Sequence, residues 1–293
     1  MENNIFVLGA TGIQGSNISK LLISKGNNVV TLSRSNEQNQ SNVNGLQIVF
    51  GSLDDKLALS KALKDVDKAV FTFPLIFDVK KAIKYTRNFI EVAEEQDISL
   101  AVFNSSFDLP NDKTGLIALD LKVAISELFE KSNIDVITLM PDIYIDNLVA
   151  PWSLPLILEK GILPYPARSG QKVPWISHSD LAKFVASAIK KPDLAGKVLP
   201  IGGNLFTGEE IATAISNQIG KKVNYIGLTP DDFEKQLVPA FGELASKEIS
   251  NLYRYVENNS DKLVNKDFER SQNLLSVKPQ SIQEWVKTVN WKM

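Results

Sequence analysis

The chain has 293 residues, 44% hydrophobic and 23% charged, proportions that suit an ordinary globular protein with one large or two modest domains. Lysine and arginine total 32 against 34 aspartates and glutamates, a formal charge of −2 that argues against nucleic acid or an anionic membrane as the main partner. There is no cysteine, so disulfides, thiolate nucleophiles and cysteine-ligated metals are excluded, and any histidine-based metal site or Ser-His-Asp triad would hang on His178 alone.

No metal site is expected. No apolar run approaches the length of a membrane span, and Met1-Glu2-Asn3-Asn4 lacks the basic start of a signal peptide, so the expectation is a cytoplasmic protein that acts on a small molecule. Nothing in the sequence speaks to its oligomeric state.

The first predicted element is Ile5-Phe6-Val7-Leu8, a short uncharged apolar run of the kind that forms a buried parallel strand. It meets Gly9-Ala10-Thr11-Gly12-Ile13-Gln14-Gly15, and helix-spaced Ile18, Leu21 and Leu22 follow at once. Gly9 frees the backbone as it leaves the strand, Gly12 keeps a Cβ away from an approaching pyrophosphate, and Gly15 lets the helix pack closely. The first-turn N–H groups around Gly12, Ile13 and Gln14, with Thr11 beside them, form a phosphate cradle at the positive end of the helix. The spacing is GxxGxxG, a loose match to the dinucleotide fingerprint, and its strength lies in the strand before and the helix after.

Val29 to Ser33 is the second strand. An acidic residue at its end would bond the adenosine ribose and repel a 2′-phosphate; the chain has Arg34, a guanidinium suited to that phosphate. NADP(H) is therefore expected over NAD(H), against the alternative of a solvated arginine that decides nothing. Ser35 to Asn44 is polar and reads as a mobile loop.

Leu46 to Phe50 is a third strand, followed by Gly51-Ser52-Leu53-Asp54-Asp55. Asp54 is placed to meet the adenine amino group, and Asp54 or Asp55 equally well caps the helix from Lys56 to Leu63. Strands over Lys68 to Phe73 and Ile98 to Phe103 flank an amphipathic helix that begins near Val79. Their carboxyl ends carry Phe73, Pro74, Ser105 and Ser106 toward one crevice, where ligands of open parallel sheets bind. The two serines could equally serve only the local backbone. A helix over Thr114 to Lys131 carries Lys122, and Ile134 to Met140 is a sixth strand.

This alternation predicts an α/β fold with a doubly wound parallel sheet over residues 1–145. Prolines 141, 151, 155, 164, 166 and 174 then crowd a stretch with Trp152, Tyr165 and Trp175, as an irregular cap would. Beyond an extended run over Val173 to Ser177, Ser179-Asp180 reads as the cap of a helix to about Lys190. Lys197 to Ile201 reads as a strand that returns to the main sheet. The remainder of 146–293 is expected to be a smaller α+β substrate lobe. In it Thr207-Gly208-Glu209-Glu210 is a capping box, a helix starts near Pro230, a separate segment runs from Glu243 to Val256, and the helical tail over Ser281 to Val289 is anchored by Trp285 and Trp291.

In this combination the chain resembles the NmrA-like group of atypical short-chain dehydrogenases/reductases. The resemblance rests on the glycine turn, Arg34, Gly51-Ser52-Leu53-Asp54-Asp55, Lys122, Pro141-Asp142-Ile143-Tyr144-Ile145-Asp146-Asn147, Pro174-Trp175-Ile176 and Gly202-Gly203, and covers nearly the whole chain. It implies a Rossmann domain that binds NADP(H) and a small domain for the substrate. Members include NADPH-dependent quinone and ether-type reductases and also regulators that bind the dinucleotide without turnover. It further implies that Lys122 contacts the coenzyme, and that Pro141 meets its nicotinamide end. Tyr144 could line the same region, act as a surrogate acid, or be a core aromatic.

The departure from the wider group is chemical. Ordinary short-chain dehydrogenases pair the lysine with a tyrosine four residues earlier, and this chain has Ala118 there. Without the phenol, alcohol oxidation and nucleotide-sugar epimerisation lose their acid-base group. An electron-poor acceptor such as a quinone or enone can take hydride without one, with Lys122 as the catalytic candidate that supplies positive charge. The alternative is a non-catalytic NADP(H)-binding redox sensor.

Overall fold

The structure, a computed structural model, describes residues 4–35 and 44–292. Most of the expected polar loop over Ser35 to Asn44 lies outside them. In chain order the elements are β1 (Asn4–Val7), α1 (Ile13–Ser24), β2 (Asn28–Ser33), β3 (Leu46–Phe50), α2 (Lys56–Leu63), β4 (Lys68–Thr72), α3 (Val79–Glu95), β5 (Leu100–Asn104), α4 (Ile117–Glu130) and β6 (Asp135–Pro141). Then come β7 (Ile143–Tyr144), β8 (Ile162–Tyr165), β9 (Val173–Ile176), α5 (His178–Ala188), β10 (Val198–Ile201), β11 (Asn204–Phe206), α6 (Gly208–Ile219) and β12 (Asn224–Gly227). The chain ends with α7 (Pro230–Asn258), α8 (Ser260–Val264), α9 (Phe268–Leu275) and α10 (Ile282–Thr288).

The chain forms two compact units. The first comprises the residues up to Pro141, His178–Ile201 and Arg270–Val277. Its seven strands run in the order β10-β6-β5-β4-β1-β2-β3, every pairing parallel. The chain thus builds outward from β1 in one direction and, after α2, in the other, so the order reverses between β1 and β4. That reversal opens a crevice at the carboxyl ends of the two strands. The α/β fold with a doubly wound parallel sheet is the one the residue pattern predicts, and the returning strand is β10, with Ile201 opposite Pro141.

The strands are apolar because helices cover the sheet: every residue of β5 is buried, as are Ile5, Phe6 and Val7 of β1. At the edge, β3 is more exposed. Much of the core is phenylalanine. Phe71 stands 4.7 Å from Phe89 and 5.1 Å from Phe129, and Phe129 is 5.4 Å from Phe103, mostly in the tilted or edge-on arrangements that aromatic quadrupoles favour.

The second unit holds Asp142–Ser177, Gly202–Glu269 and the residues from Lys278. It contains a three-stranded sheet, β11-β9-β7, and a two-stranded one, β12-β8. The proline-rich stretch resolves into short elements, among them a 3-10 turn at Ile145–Val149 and a π turn at Leu156–Lys160 that ends on left-handed Gly161. An aromatic group of Tyr165, Trp175, Phe233 and Tyr253 fills its interior, and Tyr165 and Tyr253 share a hydroxyl hydrogen bond of 2.5 Å. The capping box at Thr207 and Glu210 is present, as is one at Ser281 and Glu284. Trp285 is buried and meets Trp291 edge-on.

One local reading differs from the pattern. The helix α5 already begins at His178, so Asp180 lies in its first turn, buried and 2.8 Å from Lys183 Nζ. The helix expected from Pro230 and the separate segment from Glu243 are both found: α7 consists of two helical stretches that meet at a kink at Gly242, whose φ of 76° only glycine adopts without strain.

Truncation of Phe71 removes a ring that no neighbour can replace. We expect Phe71→Ala to lower the unfolding free energy by about 3–5 kcal/mol in urea titrations; a loss under about 1 kcal/mol would mean that the aromatic group is not the core it looks to be.

Candidate functional site

The site is built where β1 hands over to α1. Leu8 N–H still bonds the Val70 carbonyl of β4 at 2.9 Å, and the chain then turns at Gly9, with φ of 73°. Gly12 N–H closes the turn on the Gly9 carbonyl at 2.8 Å, and Gly12 becomes the N-cap of α1 with no side chain to cap it. The first turn of α1 therefore has no side-chain cap at the positive end of the helix, where an anion is favoured. Gly15 makes the tight approach: a Cβ there would lie 2.1 Å from the Gly9 carbonyl oxygen, an impossible contact. Beneath the turn, Thr31 Oγ1 donates to Val7 O at 2.7 Å and accepts Ala10 N–H at 3.3 Å.

A cavity of about 570 Å³ opens above this turn. Gly9, Thr11, Gly12, Ile13, Gln14 and Gly15 form one wall. Arg34 lines the end beyond β2, exposed, with Ser33, Ser35 and Ser52 around it. Phe73 and Pro74 line the side formed by the β4 terminus, continued by Leu75, Ile76 and Tyr85. Leu8, Leu32 and Leu53 supply apolar surface between them. Asp54 is outside this lining and pairs with Lys84 at 2.5 Å. The cap of α2 is Asp55, which accepts the Leu57 and Ala58 N–H groups, both at 3.0 Å.

At the end of β5 the side chains form a polar cluster. Asn104 donates to Gln14 Oε1 at 2.8 Å and to Thr72 Oγ1 at 3.2 Å, and accepts Ser106 N–H at 3.0 Å. Ser106, at a left-handed φ of 59°, donates from Oγ to Gln14 Oε1 at 3.2 Å. Ser105 is buried and donates to the Phe107 and Leu139 carbonyls at 2.5 and 3.2 Å. Its own carbonyl accepts the Lys122 ammonium.

Lys122 keeps some surface exposure, but its ammonium is crowded by protein, with a neutral carbonyl for a partner. Loss of hydration lowers its pKa to about 8. Ala118, where the wider group has tyrosine, is buried on the same helix.

The structure thus brings nine of the sequence-derived residues, Gly9 through Pro74 with Asp54 left out, to one cavity, and sets Ser105 against Lys122 nearby. Pro141 ends β6 opposite Ile201. Tyr144, buried in β7 opposite Ile176, belongs to the second unit. Sequence reasoning passed over Thr31, Thr72, Asn104 and Tyr85. Asn104 had a signal, as the one polar residue closing an otherwise apolar strand; Thr31 and Thr72 had none. Among the described residues no cluster of histidine, aspartate and glutamate could hold a metal, and no helix is long and apolar enough to cross a membrane.

Comparison with known proteins gives a consistent picture. The sequence model described as the NmrA-like family matches residues 1–286. An NAD(P)H azoreductase of Xenophilus azovorans is 26% identical over 253 residues, 85% of this chain and 86% of that one. Quinone oxidoreductase 2 of Escherichia coli (strain K12) is 25% identical over 237 residues, 80% of each. Among solved structures, the triphenylmethane reductase of Citrobacter sp. complexed with NADP(H) is similar with a TM-score of 0.79 at 21% identity, over 97% of this chain and 99% of that one.

Two measurements probe the site's construction. Gly15→Ala must displace the turn, so dinucleotide binding by calorimetry should fall by at least about tenfold, as loss of one hydrogen bond to a charged group would already do. For Lys122 the folded pKa lies below the unfolded 10.5, so the unfolded chain binds more protons between about pH 8 and 10.5. Stability contributed by this group should rise with pH across that window, by at most about 3 kcal/mol. Urea titrations should show the wild-type chain gaining on Lys122→Met from pH 7.5 to 10; parallel curves would mean that the ammonium is hydrated after all.

Proposed function

The chain belongs to the NmrA-like family, and from that premise we propose that it is an NADP(H)-dependent oxidoreductase for small conjugated acceptors such as quinones or enones. One observation carries the reading: a single cavity joins an uncapped helix start, a glycine turn whose Gly15 has no room for a side chain, and an exposed arginine at the end of β2.

These residues fit a dinucleotide. The N–H groups of the first α1 turn, from Ile13 onward, would hold the pyrophosphate, and Gly12 puts no side chain before them. Arg34 would take the 2′-phosphate through charge-assisted bonds, with the hydroxyls of Ser33, Ser35 and Ser52 close by. Among the described residues no carboxylate follows β2 to bond the ribose in its place. When bound, the coenzyme supplies a hydride.

The chain's own contribution to chemistry is positional and electrostatic. At neutral pH Lys122 is largely protonated and offers a cation held by the Ser105 carbonyl, toward coenzyme and acceptor oxygens. With Ala118 in place of the phenol, no side chain on this helix turn donates the proton that accompanies the hydride, and water supplies it. Acceptors that need strong protein acids are thereby disfavoured, and conjugated electron-poor ones are favoured. The azo, quinone and triphenylmethane compounds for which the three relatives are named are all extended conjugated systems.

The test is NADPH oxidation with a panel of quinones, enones and azo compounds. Saturable turnover that falls on Lys122→Met is the expected result; tight NADPH binding with no turnover on any acceptor would assign a dinucleotide-dependent regulator instead, a role that Ala118 would also permit. In binding assays Arg34→Ala should weaken NADPH by roughly 10- to 150-fold, the worth of a hydrogen bond to a charged group, and NADH far less. Equal losses for both coenzymes would remove the preference for NADP(H).

A further inference from the structure

Asn104 closes β5 with only 1% of its surface exposed, and its surroundings decide which way round its amide sits. The Ser106 backbone N–H can only donate, and it lies 3.0 Å from one terminal atom of that amide, which must be the oxygen. The other terminal atom is then the nitrogen. It faces Thr72 Oγ1 at 3.2 Å and the end of the Gln14 side chain at 2.8 Å. A donor that close requires an acceptor, so Gln14 turns its oxygen to Asn104, and Ser106 Oγ donates to the same oxygen at 3.2 Å. The polarity of one backbone N–H is relayed through two amides and emerges at the Gln14 nitrogen.

Gln14 stands in the first turn of α1 and lines the cavity beside the uncapped N–H groups. We propose that Asn104 is a positioning residue that acts through Gln14, turning its amide so that N–H and not oxygen is presented to the phosphate oxygens of the coenzyme. The inference rests on the dinucleotide reading of the cavity. It explains why a short-chain amide stands at a strand end where an aliphatic residue would pack as well. Asparagine supplies a donor and an acceptor on opposite sides, whereas aspartate supplies acceptors alone.

The experiment is calorimetry with two ligands, NADPH and 2′-AMP, which carries the phosphate that Arg34 would read but no pyrophosphate. Asn104→Asp still accepts the Ser106 N–H but turns an acceptor toward Gln14, whose amide must rotate and put its oxygen into the cavity. Gln14→Leu removes the amide and leaves Asn104 in place. Each variant should bind NADPH at least about tenfold more weakly while keeping 2′-AMP within about twofold, and the double variant should be no weaker than Gln14→Leu alone, since the two residues act as one.

The inference is overturned if Gln14→Leu leaves NADPH affinity unchanged, if the two losses multiply, or if 2′-AMP binding falls in step with NADPH. Should Asn104→Asp not fold, Gln14→Leu, on a half-buried residue of the cavity wall, decides by the same two ligands. A wild-type chain that binds neither ligand defeats the dinucleotide reading itself, an outcome distinct from one that binds both and ignores the variants.

Discussion

At Gly15 the helix α1 is pressed against the turn before it, and the site depends on this contact. With Gly15 against the Gly9 carbonyl, there is no space for even a methyl group, and the helix start is drawn down onto the strand end. That contact sets where the N–H groups of the first α1 turn point. A wider approach would leave the same donors to scatter into solvent, and the dipole of α1 would lose its focus within a turn. Thr31 supports the arrangement from below by bonding both sides of the turn, at Val7 and Ala10.

Around this contact the unit separates two kinds of surface. Below the carboxyl ends of the strands the core is largely aromatic and aliphatic, with Phe71, Phe89 and Phe129 in mutual contact. Above them the polar groups begin abruptly, with Thr72, Asn104, Ser105 and Ser106. Buried amides and hydroxyls are tolerated there because each has a partner, and partnered networks in low dielectric are rigid. Rigidity suits a site whose chemistry is positional: with no phenol beside Lys122, catalysis depends on where a cation and a coenzyme are held.

Lys122 shows how the same environment tunes charge. Its ammonium faces a neutral carbonyl, so burial alone acts on it and the pKa drops to about 8. A carboxylate partner would have restored the usual value and cancelled the positive field at the site. The cost of an unpaired buried cation is the kind of local instability that functional sites retain.

Much of this was legible in the chain itself. Unbroken apolar runs and period-3.6 patterns located the strands and helices of the parallel sheet, because a sheet covered on both faces demands strands that are apolar throughout. The glycine turn and Arg34 marked both ends of the cavity, since they are local: neighbours in sequence build the turn, and one residue closes β2. What the pattern could not decide depends on residues far apart in the chain. Asp55 and not Asp54 caps α2, and the Asp54 carboxylate instead meets Lys84 of α3. The polarity of Gln14 was invisible, because it is inherited from Ser106, 92 positions away, through an asparagine on another strand. Sequence determined which backbone could cradle a phosphate; only the folded chain, by bringing distant donors and acceptors within 3 Å or so, decided which way the side chains of the cradle face.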